Sequence, residues 1–223
     1  WELTDLPFDF TVNSLDLAVD AQGRTQLLLD TDDGVYHYER ANEILSSSDP
    51  WGSTAFGVQT SAAMTVTDAG QPIIVTSDGD LAFEQRQGGV LLKLQNSIGS
   101  GTGIGDIVSK DENRSASIFV SSSNGLVYAN QSESGIDTVS LSEVGNNILT
   151  SNQIYLFLDS NQTPHIMSLN DTGEVNLAVQ NGSSSSWDSS ILLEDINQFS
   201  ATMSSNGSIG VISVDGGLAA AHW

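Results

Sequence analysis

Five copies of one strand–turn–strand–turn–strand pattern recur at intervals of 43 to 48 residues along a 223-residue chain. They predict an all-β fold, a five-bladed β-propeller of four-stranded antiparallel blades. Two further observations support this. No window carries a sustained helical apolar period, whereas short apolar runs bounded by Gly, Asn, Asp or Ser recur throughout. The chain also ends where a ring would need its own start. The fifth repeat stops after a third strand, and residues 1–12 precede the first repeat, so the N-terminal strand is expected to complete the fifth blade. Ring closure of that kind removes an exposed edge. Residues 1–223 are then expected to form one domain.

The repeats run Leu17–Glu39, Met64–Gln85, Asp106–Gln131, Tyr155–Gln180 and Ser200–Trp223. Each begins with an apolar strand. A first turn follows, placed at Gly23, Gly70, Asn113, Asn161 and Asn206, with spacings of 47, 43, 48 and 45. A second strand leads to a second turn at Gly34, Gly79, Gly125, Gly173 and Gly216, spaced 45, 46, 48 and 43. Gly and Asn suit both turns because tight hairpins need φ > 0 at a central residue. A third strand comes next, then a variable stretch long enough for a fourth. The segment Gly99–Gly105, rich in glycine, reads as a flexible loop between blades. It has no following helix that could cradle a pyrophosphate.

The pattern of apolar strand, Asp-x-x-Gly/Asn, apolar strand, Asp/Asn-Gly and a third strand resembles the loosely conserved blades of bacterial and fungal propeller proteins, lectins among them. The resemblance covers nearly the whole chain but is generic. It implies roles known in five-bladed folds, namely sugar-binding lectins similar to tachylectin-2 and glycoside hydrolases of the arabinanase type. The repeated motifs of that lectin are not visible here, so the resemblance implies architecture more than activity.

Composition bounds the function. Twenty-eight acidic and six basic residues give a net charge of −22. A nucleic-acid partner is excluded, since phosphate backbones need a cationic face. An anionic membrane surface is disfavoured for the same reason. No apolar stretch reaches the roughly 18 residues of a spanning helix, so no membrane insertion is expected. The chain has no cysteine, which removes disulfides, thiolate metal sites and thiol catalysis. Abundant Ser, scarce Lys and Asp in excess of Glu suit an extracellular or cell-surface protein. The start at Trp1 reads as a processed product or a segment of a longer one.

Candidate residues fall into four groups. Trp51 and Trp187 follow third strands, and Tyr36 and Tyr38 lie on one. They are either packing between sheets or platforms on which a sugar ring stacks. Trp1 and Trp223 would meet across the proposed closure. Asp30, Asp32 and Asp33 cluster oxygen ligands of the kind Ca²⁺ takes, although Asp is also ordinary turn chemistry. Ca²⁺ is the one cofactor the sequence accommodates. Asn113, Asn130, Asn161, Asn170, Asn181 and Asn206 open glycosylation sequons. Asp16, Asp106 and Glu194 lie in or beside inner strands, where a glycosidase would need two facing carboxylates. His37, His165 and His222 show no metal or catalytic spacing.

The function expected from these residues is a non-enzymatic extracellular binding module recognising carbohydrate or a surface polymer. Its partner would be a glycan or a surface protein. The alternatives are a structural subunit or adhesin domain of a surface assembly, where the chain would associate with itself, and a glycoside hydrolase using funnel carboxylates.

Overall fold

The computed structural model describes residues 11–20, 22–40, 51–57, 61–67, 70–77, 80–87, 90–97, 103–110, 114–121, 125–132, 135–141, 153–182, 186–204, 207–215 and 218–222. These residues form nineteen strands, in five antiparallel sheets built from consecutive hairpins. The first sheet holds β1 (Val12–Val19), β2 (Thr25–Thr31), β3 (Gly34–Arg40) and β4 (Trp51–Gly57). The second holds β5 (Ser61–Val66), β6 (Pro72–Ser77), β7 (Asp80–Gln87) and β8 (Val90–Ser97). The third holds β9 (Gly103–Ser109), β10 (Ser115–Ser121), β11 (Gly125–Ser132) and β12 (Gly135–Ser140). The fourth holds β13 (Ile154–Leu158), β14 (Pro164–Leu169), β15 (Val175–Gln180) and β16 (Trp187–Leu193). The fifth has three strands, β17 (Gln198–Met203), β18 (Ile209–Asp215) and β19 (Leu218–His222).

The first turns share one closure. The N–H of the opening residue donates to the carbonyl four residues on, as in Asp20 to Arg24 (3.0 Å), Thr67 to Gln71 (3.0 Å), Lys110 to Arg114 (2.8 Å), Asp159 to Thr163 (3.1 Å) and Ser204 to Ser208 (2.9 Å). The left-handed residue of this turn is Gly23, Gly70, Gln162 or Gly207. In the fourth and fifth repeats it therefore lies one residue beyond the Asn161 and Asn206 assigned from sequence. A side-chain acceptor at the opening position reinforces the turn. Asp20 Oδ1 takes the N–H of Gln22 and Arg24, and Asp159 Oδ1 that of Asn161 and Thr163.

The sheets stack in chain order, with β1 against β5, β5 against β9, β9 against β13 and β13 against β17. An apolar cluster fills each joint. Leu28 and Val35 meet Met64 and Ile74, and Ile73 and Val75 meet Ile107 and Val127. Ile118 and Tyr128 meet Ile154 and Leu156, and Met167 and Val175 meet Phe199 and Val211. The second strands β2, β6 and β14 are buried on both faces, whereas β18 leaves Ile212 exposed. β2 and β6 read as continuous apolar runs instead of alternating. Each buried Leu or Ile contributes about 1.5–3 kcal/mol.

Two expectations fail. The closed ring of four-stranded blades is not formed: the five sheets are separate, none curls on itself, and the last has three strands. Of residues 1–12, expected to complete the fifth blade, residues 1–10 lie outside the described residues. Val12 pairs with Thr31 and is committed to the first sheet. The physical reason is that turn spacing fixes hairpins, which are local. Closure needs the first and last sheets to meet face to face, and both leave apolar side chains exposed, Leu15 and Leu17 on one and Ile212 on the other.

The second failure concerns Gly99–Gly105. Gly103 and Gly105 belong to strand β9. A Cβ on Gly105 would sit 3.2 Å from Ile154 of the next sheet and 3.3 Å from the Ile118 carbonyl. Glycine there permits close approach of the next sheet.

Candidate functional site

Across each joint, a side-chain oxygen of one sheet accepts a backbone N–H from the first strand of the next. Asp16 Oδ2 accepts from Met64 (2.9 Å), Ser61 Oγ from Ile104 (3.0 Å), Asp106 Oδ2 from Leu156 (2.7 Å) and Gln153 Oε1 from Phe199 (2.8 Å). First strands are sheet edges, so these donors need a partner outside their own sheet. Asp106 Oδ1 also accepts from Ile107 (2.8 Å). Burial pushes the Asp106 carboxyl up to about 6, against the pull of those two N–H groups, and the charge on Asp16 adds to the rise. The two carboxylates that sequence offered to a hydrolase are thus engaged in holding sheets together. Glu194 is exposed in the connection between β16 and β17.

The aromatic candidates are packed. Trp187 is half-buried against the cluster between the third and fourth sheets, its ring edge-on to Tyr128 with centroids 5.4 Å apart. Its indole N–H is buried and has no hydrogen-bond partner among the described residues. Tyr38 is buried and Tyr36 half-buried beside Leu27 and Leu29, with their rings 6.4 Å apart. The Trp51 side chain, and Trp1 and Trp223, lie outside the described residues. His37 is buried and donates from Nε2 to Gln26 Oε1 at 2.8 Å. His165 Nε2 stands 3.7 Å from Asp159. The His222 side chain is outside the described residues.

Asp30, Asp32 and Asp33 lie at the β2–β3 turn. Asp32 accepts from Asn13 Nδ2 (3.1 Å), and the N–H of Asp33 donates to Thr31 Oγ1 (3.2 Å). Burial and the neighbouring Asp32 raise the Asp30 carboxyl. Among the described residues, no group of three or more His, Asp or Glu is placed to hold a metal ion. Of the sequon asparagines, Asn161 and Asn181 are exposed and Asn130 is half-buried. Asn130 Oδ1 accepts from Lys110 Nζ at 2.5 Å. Asn113 and Asn206 lie outside the described residues.

Asn170 does something its sequon did not announce. It is buried, and its Oδ1 accepts the N–H of Thr172 (3.1 Å) and Glu174 (2.9 Å) and the Thr172 hydroxyl (2.7 Å). Its Nδ2 donates to Glu174 Oε2 (2.7 Å). The turn this builds carries Gly173 at φ 83°. A Cβ there would lie 3.2 Å from the carbonyl oxygen of Ile196. The Ile196 N–H closes the approach by donating to Gly173 O at 2.8 Å, and Asn197 N–H donates to Val214 O at 3.0 Å. The β14–β15 turn and the β16–β17 connection are thereby held together, leaving an open cleft of about 470 Å³ beside the fifth sheet. Asn170, Asp171, Thr172, Asp195, Asn197 and Asp215 line it. This is an array of carboxylate, amide and hydroxyl groups suited to hydrogen-bonding a polyhydroxylated ligand. Sequence reasoning missed it because its two halves are 25 residues apart, and the Asn-Asp-Thr-Gly run read as a sequon followed by a turn.

Among the described residues, no helix is long and apolar enough to cross a membrane. No family model and no curated protein matches the chain. Solved structures do. An arginine-to-alanine triple mutant of AofleA from Arthrobotrys oligospora aligns over 94% of this chain and 72% of its own, at 11% identity and a TM-score of 0.62. The complex of the fission yeast SREBP–SCAP binding domains aligns over 96% of this chain, at 12% identity and a TM-score of 0.56. This chain spans 59% of that second structure's length. The likeness is one of fold, an all-β succession of antiparallel sheets.

Proposed function

We propose that the chain is a non-enzymatic extracellular or cell-surface binding module that recognises carbohydrate through the cleft between its fourth and fifth sheets. The observation that carries this reading is the polar lining just described. Asp171, Asp195 and Asp215 offer acceptors, and Asn197 offers both an acceptor and a donor. Hydroxyl groups of a sugar satisfy both kinds. Among the described lining residues none is aromatic, and their carboxylate, amide and hydroxyl groups support hydrogen bonding over ring stacking. Asp16 and Asp106 speak against hydrolysis, because each already accepts a backbone N–H and a nucleophile or acid needs its oxygens free for substrate.

A glycan array followed by calorimetry on the best hit tests the proposal. Asn197→Ala and Asp215→Ala should each weaken that hit by tenfold or more while leaving the melting temperature near the parent value. Failure to bind any glycan on the array removes the reading. The second reading, a subunit of a surface assembly, rests on the exposed apolar side chains at the two ends of the stack.

A further inference from the structure

The six basic residues of the chain, Arg24, Arg40, Arg86, Lys93, Lys110 and Arg114, all precede residue 115. Residues 153–223, which build the fourth and fifth sheets, carry seven Asp or Glu and neither Lys nor Arg. In the first sheet the chain answers its own carboxylates. Arg24 reaches both Asp20 and Glu39, and it also donates to the Gly70 carbonyl. The two sheets that flank the cleft have no such side chain of their own.

Three separate elements place a carboxylate on that cleft. Asp171 comes from the β14–β15 turn, Asp195 from the β16–β17 connection and Asp215 from the end of β18. They are distributed over an opening of about 470 Å³. Among the described residues no three acids converge to hold a metal ion. A point cation therefore matches the lining poorly, whereas a ligand with cationic groups along its length matches it well. Asn197 adds an amide that both donates to and accepts from hydroxyls.

We propose that the ligand of the cleft is an amino sugar with free ammonium groups, an oligosaccharide of the 2-amino-2-deoxyhexose class. The proposal rests on the reading of this cleft as a carbohydrate site, and it names the sugar. An ammonium N–H to a carboxylate is a charge-assisted hydrogen bond, about twice as strong as a neutral one. An N-acetylated ring offers only a neutral amide in its place. A sialylated or uronic chain brings further carboxylates to a molecule of net charge −22, and like charges across an interface suppress the wrong partner. The ligand thus supplies the cations that the fourth and fifth sheets lack.

Calorimetry at about pH 6, where such an amine is protonated, compares a glucosamine oligosaccharide with the N-acetylglucosamine oligosaccharide of equal length. The two differ in charge and share their remaining hydroxyls. The free-amine ligand should bind about tenfold more tightly, and the preference should collapse by about 0.5 M salt because exposed charges are screened. A sialylated oligosaccharide should not bind. Asp195→Asn and Asp215→Asn keep an acceptor and remove the charge, and Asn tolerates the left-handed backbone at Asp195, φ 60°. Each should cut the preference roughly two- to fivefold while leaving the affinity for the N-acetylated ligand within about twofold. Asp137→Asn, which removes an exposed carboxylate on β12 away from the cleft, should change neither. Circular dichroism and thermal melting verify the fold of all three variants. An uncharged glycan binding as tightly as the free-amine one overturns this proposal and leaves the carbohydrate reading standing. Failure of every glycan to bind overturns both. Oligolysine binding with equal affinity and the same dependence on Asp195 and Asp215 overturns it in favour of a basic peptide.

Discussion

Asp106 on β9 accepts the backbone N–H of Leu156 on β13 at 2.7 Å, tying the third sheet to the fourth. The same carboxyl is largely buried and is pushed up to about 6 by that burial. A group raised in the folded state contributes stability below its unfolded pKa, near 3.8. It loses that contribution as pH climbs through its folded pKa. Ionising Asp106 therefore weakens the fold between about pH 4 and 6. Asp106→Asn keeps an acceptor for Leu156 and removes the buried charge. Urea denaturation should find it about 2 kcal/mol more stable than the parent at pH 7.5 and nearly equal at pH 4. Equal stability at both values would show that the charge costs nothing.

Asp16 serves the preceding joint in the same way, accepting from Met64. Asp16→Ala leaves an edge N–H facing the joint without its acceptor, at a cost of about 1–3 kcal/mol. Hydrogen exchange at the Met64 amide should accelerate in step. An unchanged exchange rate would mean that water replaces the carboxylate.

Gln162 occupies a left-handed conformation, φ 64°, where three of the equivalent turns carry Gly23, Gly70 and Gly207. Gln162→Gly should relieve that strain by more than it adds to the entropy of the unfolded chain. The net gain would be about 0.5 kcal/mol, seen as a higher melting temperature. Gly23→Ala should do the reverse, losing about 1 kcal/mol.

Trp187 packs edge-on to Tyr128 and buries an indole N–H that has no partner among the described residues. Trp187→Phe should change stability by less than about 1.5 kcal/mol, since it gives up ring area but also the orphaned donor. Trp187→Ala should cost about 2–4 kcal/mol. Glycan affinity should be unchanged in the folded Phe variant, and a selective loss of binding there would return Trp187 to the site.

What the sequence determined is local. Hairpins form between neighbours in the chain, so the Asp-x-x-Gly turn opened by Asp20, the Asp-Ser-Asn-Gln turn opened by Asp159 and the apolar strands beside them were legible from residue type and spacing. So was the repeat of about 45 residues that yields five sheets, although the left-handed position in the fourth repeat fell on Gln162 and not Asn161. Side-chain destinations across the sheets were not legible, because they depend on which face of one sheet meets which face of the next. Asp16 and Asp106 stood as candidate funnel carboxylates only for the alternative of a hydrolase, and nothing in the sequence pointed to the N–H groups of Met64 and Leu156 that they accept. Trp187 read as either packing between sheets or a stacking platform, and the contact with Tyr128 decides for packing. Gly105 read as loop until Ile154 was packed over it. The cleft at Asn170 and Asn197 needs two segments that only the Gly173–Ile196 contact brings together. The spacing of turns carries no information about whether the first and last sheets meet, and the exposed Leu17 and Ile212 show that in this chain they do not.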